Sequence, residues 1–319
     1  MKKLRTLLIT AIVAVLALGA VASAQQEQIT IGVAIPAATH GWTGGVNYWT
    51  NETVASLEAR YPNLKFVVLA ANSAAQQADQ LQDLYVLHNI DALVILPFES
   101  DPLTGPVREL KELGVWVTVV DRALGEEGIE DLYVAGDNYS FGRVACEYIA
   151  ERLGGQGDII IMRGMPIVID QQRFDACMEV LSKTNIRVLD TAYANFNRDD
   201  AFERMEEFLI RYPKIDAIYG MDDDQVVGIL EAIELAGRTD IQFIVGGAGM
   251  KEMIERVMNN DSMIPVDVTY PASQIATALE ITALNFVRKG VPVNGKFIIE
   301  SVLVTPENAA EHYFPDSPF

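Results

Sequence analysis

The chain has 319 residues and a formal net charge of −20. An acidic balance of that size argues against nucleic acid and anionic lipid as partners, since both would repel it. The only histidines, His40, His88 and His312, are scattered without metal-ligand spacing, so no metal site is expected.

The chain opens with an export signature. Lys2, Lys3 and Arg5 precede an apolar run from Leu7 to Leu18 that is short for a membrane span, and Ala22-Ser23-Ala24 supplies a small-x-small cleavage pattern. Residues 1–24 are therefore expected to be a signal peptide. The mature chain would begin at Gln25, be released to the periplasm or cell exterior, and carry about three more net negative charges. At about 295 residues it exceeds one ordinary hydrophobic core, so two lobes are expected.

Strand and helix signals then alternate. Strand Ile29–Ile35 leads to helix Val46–Arg60, strand Lys65–Leu69 to helix Gln76–His88, and strand Ala92–Leu96 to helix Leu103–Leu113. Strand Trp116–Val120 ends abruptly in Asp121-Arg122. Strand Leu132–Ala135 follows, then helix Phe141–Leu153, strand Ile159–Met162, helix Gln171–Ser182 and strand Ile186–Thr191. Helix Asp199–Tyr212, strand Ala217–Tyr219, helix Gln225–Ala236 and strand Ile241–Val245 continue the pattern. The last part reads as helix Met250–Asn259, a strand near Val266–Thr269, helix Gln274–Arg288 and a strand Phe297–Val304. Short strands alternating with longer helices predict an α/β fold of repeated βαβ units in parallel sheets, and so many strands suit two sheets better than one. Cys146 and Cys177 both fall on helices expected on one side of the second lobe; a bridge and two buried thiols are both compatible with that spacing.

No nucleotide fingerprint follows the first strand: Pro36 to Gly45 contains neither a GxGxxG nor a Walker pattern, and Gly246-Gly247-Ala248-Gly249 lacks the spacing of a pyrophosphate turn. No cofactor is expected. Ligands of open α/β sheets sit at the carboxyl ends of the strands, and here those ends deliver His40 and Trp42, Asp121 and Arg122, Phe196, Asp222 and Thr269, with Arg173 on a helix behind one of them. Rings, carboxylates and guanidinium groups together suit a sugar or polyol, whose C–H faces pack on rings while its hydroxyls both donate and accept. Asp121 and Asp222 balance Arg122 and Arg173, which favours a neutral ligand. Asp222–Asp224 also open a helix, so capping explains part of that run.

Val120-Asp121-Arg122, Gly136-Asp137-Asn138, Gln172-Arg173-Phe174-Asp175, Asn195-Phe196-Asn197-Arg198 and Met221-Asp222-Asp223-Asp224 together resemble the ribose-binding-protein-like sugar-binding proteins of ABC importers. The resemblance covers essentially the whole mature chain. It implies the type I periplasmic binding protein fold: two doubly wound parallel-sheet lobes, 28–135 plus 270–296 and 136–269 plus 297–319, joined by a three-stranded hinge. It further implies that the Asp121-Arg122 pair holds hydroxyls, that rings from the first loop and the Asn-Phe loop sandwich the sugar, and that His40, Trp42, Arg173 and Phe196 fall on contact positions. Leu96 stands where Asn is usual, Asp222 where Asn is common, and Ala248 where an Asp grips hydroxyls. Ribose itself is thereby disfavoured relative to another pentose, a deoxy sugar or a small polyol. His40, Asn72, Glu99, Gln171, Gln225 and Thr269 are candidate substitute contacts.

The expected partners are a neutral sugar or polyol and the membrane subunits of an ABC permease, with the protein acting as a monomer. A receptor for a chemoreceptor or sensor kinase would use the same pocket. An exported glycosidase or sugar isomerase using Asp121 and Asp222 as acid and base is disfavoured, because each carboxylate is expected to be kept ionised by a neighbouring arginine. A lactose-repressor-type protein is disfavoured by the signal peptide, the acidic charge and the lack of a helix-turn-helix head.

Overall fold

β-branched runs with little polar interruption become strands covered on both faces. The computed structural model describes residues 27–38, 40–288, 290 and 292–319; the expected signal peptide lies outside them. β1 (Ile29–Pro36), β2 (Leu64–Ala71), β3 (Ala92–Ile95), β4 (Trp116–Val120), β5 (Leu132–Gly136) and β11 (Gly295–Ile299) form one sheet in the order β11-β5-β4-β3-β1-β2, with every pairing parallel. β6 (Gln156–Arg163), β7 (Asn185–Tyr193), β8 (Ala217–Gly220) and β9 (Phe243–Val245) form a second parallel sheet in the order β7-β6-β8-β9.

Side chains alternate across each strand, so each sheet feeds two cores. In the first lobe, Ala92 and Val94 enter a core shared with α1 (Gly41–Arg60) and α9 (Gln274–Val287), while Leu93 and Ile95 enter the core beneath α2 (Ala74–His88) and α3 (Ser100–Glu112). In the second, Ile159 and Ile161 face α4 (Asn138–Arg152) and α5 (Val168–Leu181). Ile160 and Met162 face α6 (Arg198–Arg211) and α7 (Asp223–Ala236), with α8 (Lys251–Met258) on the same core. Cys146 on α4 and Cys177 on α5 are joined by a disulfide with Cα atoms 5.2 Å apart, which resolves the open question of their pairing. No helix among the described residues is long and apolar enough to cross a membrane.

The chain passes between the lobes after β5, near β10 (Asp267–Val268) and after β11. β10 pairs antiparallel with β12 (Leu303–Val304). The passages are bonded to one another: the Asp137 amide donates to the Ile299 carbonyl at 2.8 Å and the Thr269 amide to the Val302 carbonyl at 3.0 Å.

Three local expectations are corrected. The strand predicted over Phe297–Val304 is two strands, and Phe297–Ile299 pair with β5 in the first sheet rather than joining the second lobe from residue 297. The first helix begins at Gly41, not Val46. Gly44-Gly45 lowers intrinsic helicity there, but the start is held by Thr43, whose hydroxyl accepts from the His40 amide and donates to the His40 carbonyl. The predicted strand Ile241–Val245 shortens to Phe243–Val245.

Candidate ligand-binding cleft

The carboxyl ends of the two sheets face each other across a narrow cleft. Its walls are His40, Trp42, Asp121 and Arg122 from the first lobe, Ile169, Arg173, Phe196, Asp222 and Ala248 from the second, and Tyr270 from the hinge. Seven of the eight residues expected from the sequence are thus brought together.

Thr269 is not among them. It turns into the hinge, where its hydroxyl accepts from the Val302 amide at 2.9 Å and its backbone bridges to Ala248. A side chain that already satisfies the backbone of the neighbouring passage is structural, so its expected role as a ligand contact is withdrawn. Glu99 and Gln171 line an adjacent groove rather than the cleft, and Leu96 is buried in the first-lobe core.

Asp121 caps β4 with a left-handed backbone, φ 61°, a conformation that Asp adopts more readily than most residues. Its amide donates to the Val134 carbonyl, which holds the turn at the sheet edge. One carboxylate oxygen accepts from the Tyr270 hydroxyl at 2.6 Å and from Gln274 Nε2 at 3.4 Å; the other lies 3.9 Å from Arg122 Nε. Arg122 also donates Nη1 to the Phe98 carbonyl.

Arg173 rises from α5 into the second-lobe wall. Nε donates to Asn138 Oδ1 at 2.9 Å and Nη1 to the Met221 carbonyl at 2.8 Å. Its guanidinium plane is flanked by the rings of Phe141, Tyr270 and Phe196, at 4.1, 4.5 and 5.9 Å. Phe196 reaches the cleft because residue 164 is glycine: a Cβ there would fall 1.9 Å from the ring. His40 and Phe196, one from each lobe, stand 6.4 Å apart between ring centroids, so the lobes are closed on one another.

Two sites depart from simple charge counting. Burial, aided by the nearby Arg122 guanidinium, lowers His40 to about 4, so it is a neutral imidazole at physiological pH. Burial, reinforced by Asp223 and Asp224, pushes the Asp222 carboxyl well above the usual carboxylate range, and Arg173 offsets this only in part. The expectation that an arginine keeps Asp222 ionised is therefore overturned. The cleft keeps unpartnered polar atoms on both kinds of group: His40 Nδ1 and the Arg122 Nε donor are buried without a hydrogen-bond partner.

Of the lining residues, Ile169, Ala248 and Tyr270 escaped selection as contacts. Tyr270 follows a strand signal, and the choice between it and its neighbour Thr269 depends on which way each side chain turns.

The profile of the periplasmic binding protein domain matches residues 31–283. The chain belongs to the periplasmic binding protein family. Among curated relatives of this periplasmic binding protein, the ribose import binding protein of Bacillus subtilis is 28% identical over 201 residues, covering 63% of this chain and 65% of that one. The xylitol-binding protein of Mycolicibacterium smegmatis is 31% identical over 208 residues, covering 64% and 58%. The matches thus span somewhat under two thirds of the length of each of these two relatives. Among solved structures, an ABC transporter solute-binding protein from Bacillus halodurans with bound myo-inositol superposes with a TM-score of 0.80 at 23% identity, covering 90% of this chain and 98% of that one. The two-lobed α/β architecture of the periplasmic binding protein is that of this solute-binding protein.

Proposed function

We propose that this protein is exported to the periplasm or cell exterior, where as a monomer it captures a neutral sugar or polyol between its two lobes. It then presents the closed complex to the membrane subunits of an ABC permease and carries out no reaction on its ligand. The observation that carries this reading is the cleft itself. Walls from both lobes enclose a space that combines apolar rings with a donor lacking a hydrogen-bond acceptor, Arg122 Nε, and a ring nitrogen without a hydrogen-bond partner, His40 Nδ1. A hydroxyl answers both, since it donates and accepts.

A neutral ligand also fits the state of the cations. Arg173 is held by Asn138, Met221 and three rings, and Arg122 by Asp121 and a backbone carbonyl. Neither is an isolated positive charge awaiting an anion. The curated relatives are named as binding proteins for ribose and xylitol, which supports a polyhydroxylated ligand.

The test is a thermal-shift screen of the mature protein against pentoses, hexoses, deoxy sugars, cyclitols and alditols. A ligand at 100 times its Kd adds about 2.7 kcal/mol of stability, a rise of roughly 5–10 °C for a chain of this size. A hit confined to one stereochemical group supports the reading; silence across the whole panel overturns it.

A further inference from the structure

Residues 313–319 are anchored in both lobes. Their root is in the second: the 3-10 turn Ala309–Glu311 packs on α8, and the Tyr313 hydroxyl donates to Glu255 of that helix. Lys251, the first residue of α8, donates Nζ to the carbonyls of Pro315 at 3.2 Å and Ser317 at 2.9 Å. The aromatic rings of the segment lie instead on the first lobe. Phe314 meets Trp49 of α1 edge to face, with centroids 5.6 Å apart. Phe319 is only 6% exposed and joins the core that holds Trp42, Val46 and Ala272.

Two glycines at the start of α1 make the seat for Phe319. A Cβ at residue 41 would fall 2.8 Å from Phe319 Cδ2, and one at residue 45 would fall 3.1 Å from Phe319 Cβ. Glycine disfavours a helix, and here it permits that close approach. Gly41 stands between His40 and Trp42, which line the cleft, so Phe319 supports the turn that carries this wall.

We propose that residues 313–319 are an interlobe clasp: fixed to α8 of the second lobe, they insert Phe319 behind the His40–Trp42 turn of the first and hold the lobes closed. The clasp's bearing on ligand capture rests on the proposed closure around a sugar or polyol. Opening about the hinge carries α8 away from α1. The link has little slack, since Phe319 is two residues beyond the carbonyl held by Lys251, and two residues reach at most about 7 Å. Opening therefore draws the ring out of its seat or breaks the Lys251 bonds. Exposing the ring costs apolar burial, which shifts the population toward the closed form.

The experiment is small-angle X-ray scattering from the mature protein without ligand, from Phe319→Ala, and from Lys251→Ala, which cuts the second-lobe anchor and leaves the α1 seat intact. Both variants should keep the native far-UV circular dichroism. Both should show a radius of gyration about 5% above that of the unaltered protein, on a scale of about 19 Å for a folded chain of about 295 residues. An unchanged radius in both variants overturns the clasp, whatever their melting temperatures. Expansion in Phe319→Ala alone also overturns it, because a ring that merely supports α1 has no need of Lys251. The scattering needs no ligand, so silence in the sugar screen overturns the proposed function and leaves this result standing. A ligand found by that screen should bind both variants about threefold or more weakly, as the closed fraction falls.

Discussion

The guanidinium of Arg173 lies 4.5 Å from the ring centroid of Tyr270, stacking a second-lobe cation on a hinge aromatic whose hydroxyl reaches the first-lobe carboxylate of Asp121. Ligand wall and interlobe contact are therefore one structure. Arg173→Lys keeps a charge but loses the planar fork that serves Asn138 and Met221. It should weaken ligand binding about 100-fold or more and lower the melting temperature, as expected when a buried, hydrogen-bonded charge loses its partners at about 2–5 kcal/mol. Titration calorimetry and a thermal melt on the same sample check both effects.

Asp121 can be separated into its backbone and its charge. Asparagine tolerates φ 61° nearly as well as aspartate, whereas alanine at that angle adds about 1 kcal/mol of strain. Asp121→Asn should weaken binding about tenfold or more with little change in melting temperature; Asp121→Ala should weaken binding and also lower the melting temperature. Equal melting temperatures for the two variants would mean that the left-handed turn is not under strain.

His40 gives the pH dependence a definite sign. Its protonation midpoint is lowered from 6.5 to about 4 in the closed protein, so the unfolded chain takes up a proton first as the medium acidifies. The stability this neutral imidazole contributes is complete above pH 6.5 and is lost as pH falls toward 4, by about 3 kcal/mol. Arg122 opposes its protonation and Asp224 favours it. Thermal melts from pH 8 to 4 should show the loss in the native protein and a shallower slope in His40→Gln.

The opposite slope comes from the buried pair at the hinge. Burial pushes Asp267 up to about 7 and Asp223 well above the carboxylate range. Asp223 accepts from the amides of Gly247, Gly249 and Met250. A raised acid holds its proton in the folded state after the unfolded chain has lost it. Its contribution is therefore complete below about pH 3.8 and disappears as pH rises through about 7. Asp267→Asn, which never ionises, should melt higher than the native protein at pH 8 and the same at pH 4. A gap independent of pH would assign the effect to packing instead.

The bridge between Cys146 and Cys177 closes a loop with a sequence separation of 31. Loop-closure entropy for that length corresponds to about 3–4 kcal/mol. Replacing both cysteines with serine should lower the melting temperature by roughly 10 °C and change ligand affinity less than threefold, because the bridge ties α4 to α5 without lining the cleft. A large loss of affinity would show that helix placement behind Arg173 depends on the bridge.

Much of this protein was legible in residue order. Alternating apolar runs and helical segments sufficed for two parallel-sheet lobes, because period and length are local properties. The abrupt Asp121-Arg122 after Trp116–Val120 marked a strand end, and strand ends of such sheets gather at one edge. His40, Trp42, Arg173, Phe196 and Asp222 followed from the same rule.

Thr269 and Tyr270 were not separable in that way. Adjacent residues on extended backbone point to opposite sides, and which side is the cleft depends on how the hinge passages pair. Once β10 pairs with β12, Thr269 meets Val302 and Tyr270 turns toward Asp121. The charge state of Asp222 was hidden for a related reason. Its formal charge is a property of the residue type, but its protonation depends on burial and on Asp223, Asp224 and Arg173. Local sequence thus specified elements, lobes and most of the wall, while side-chain direction and desolvation emerged only when distant segments packed together.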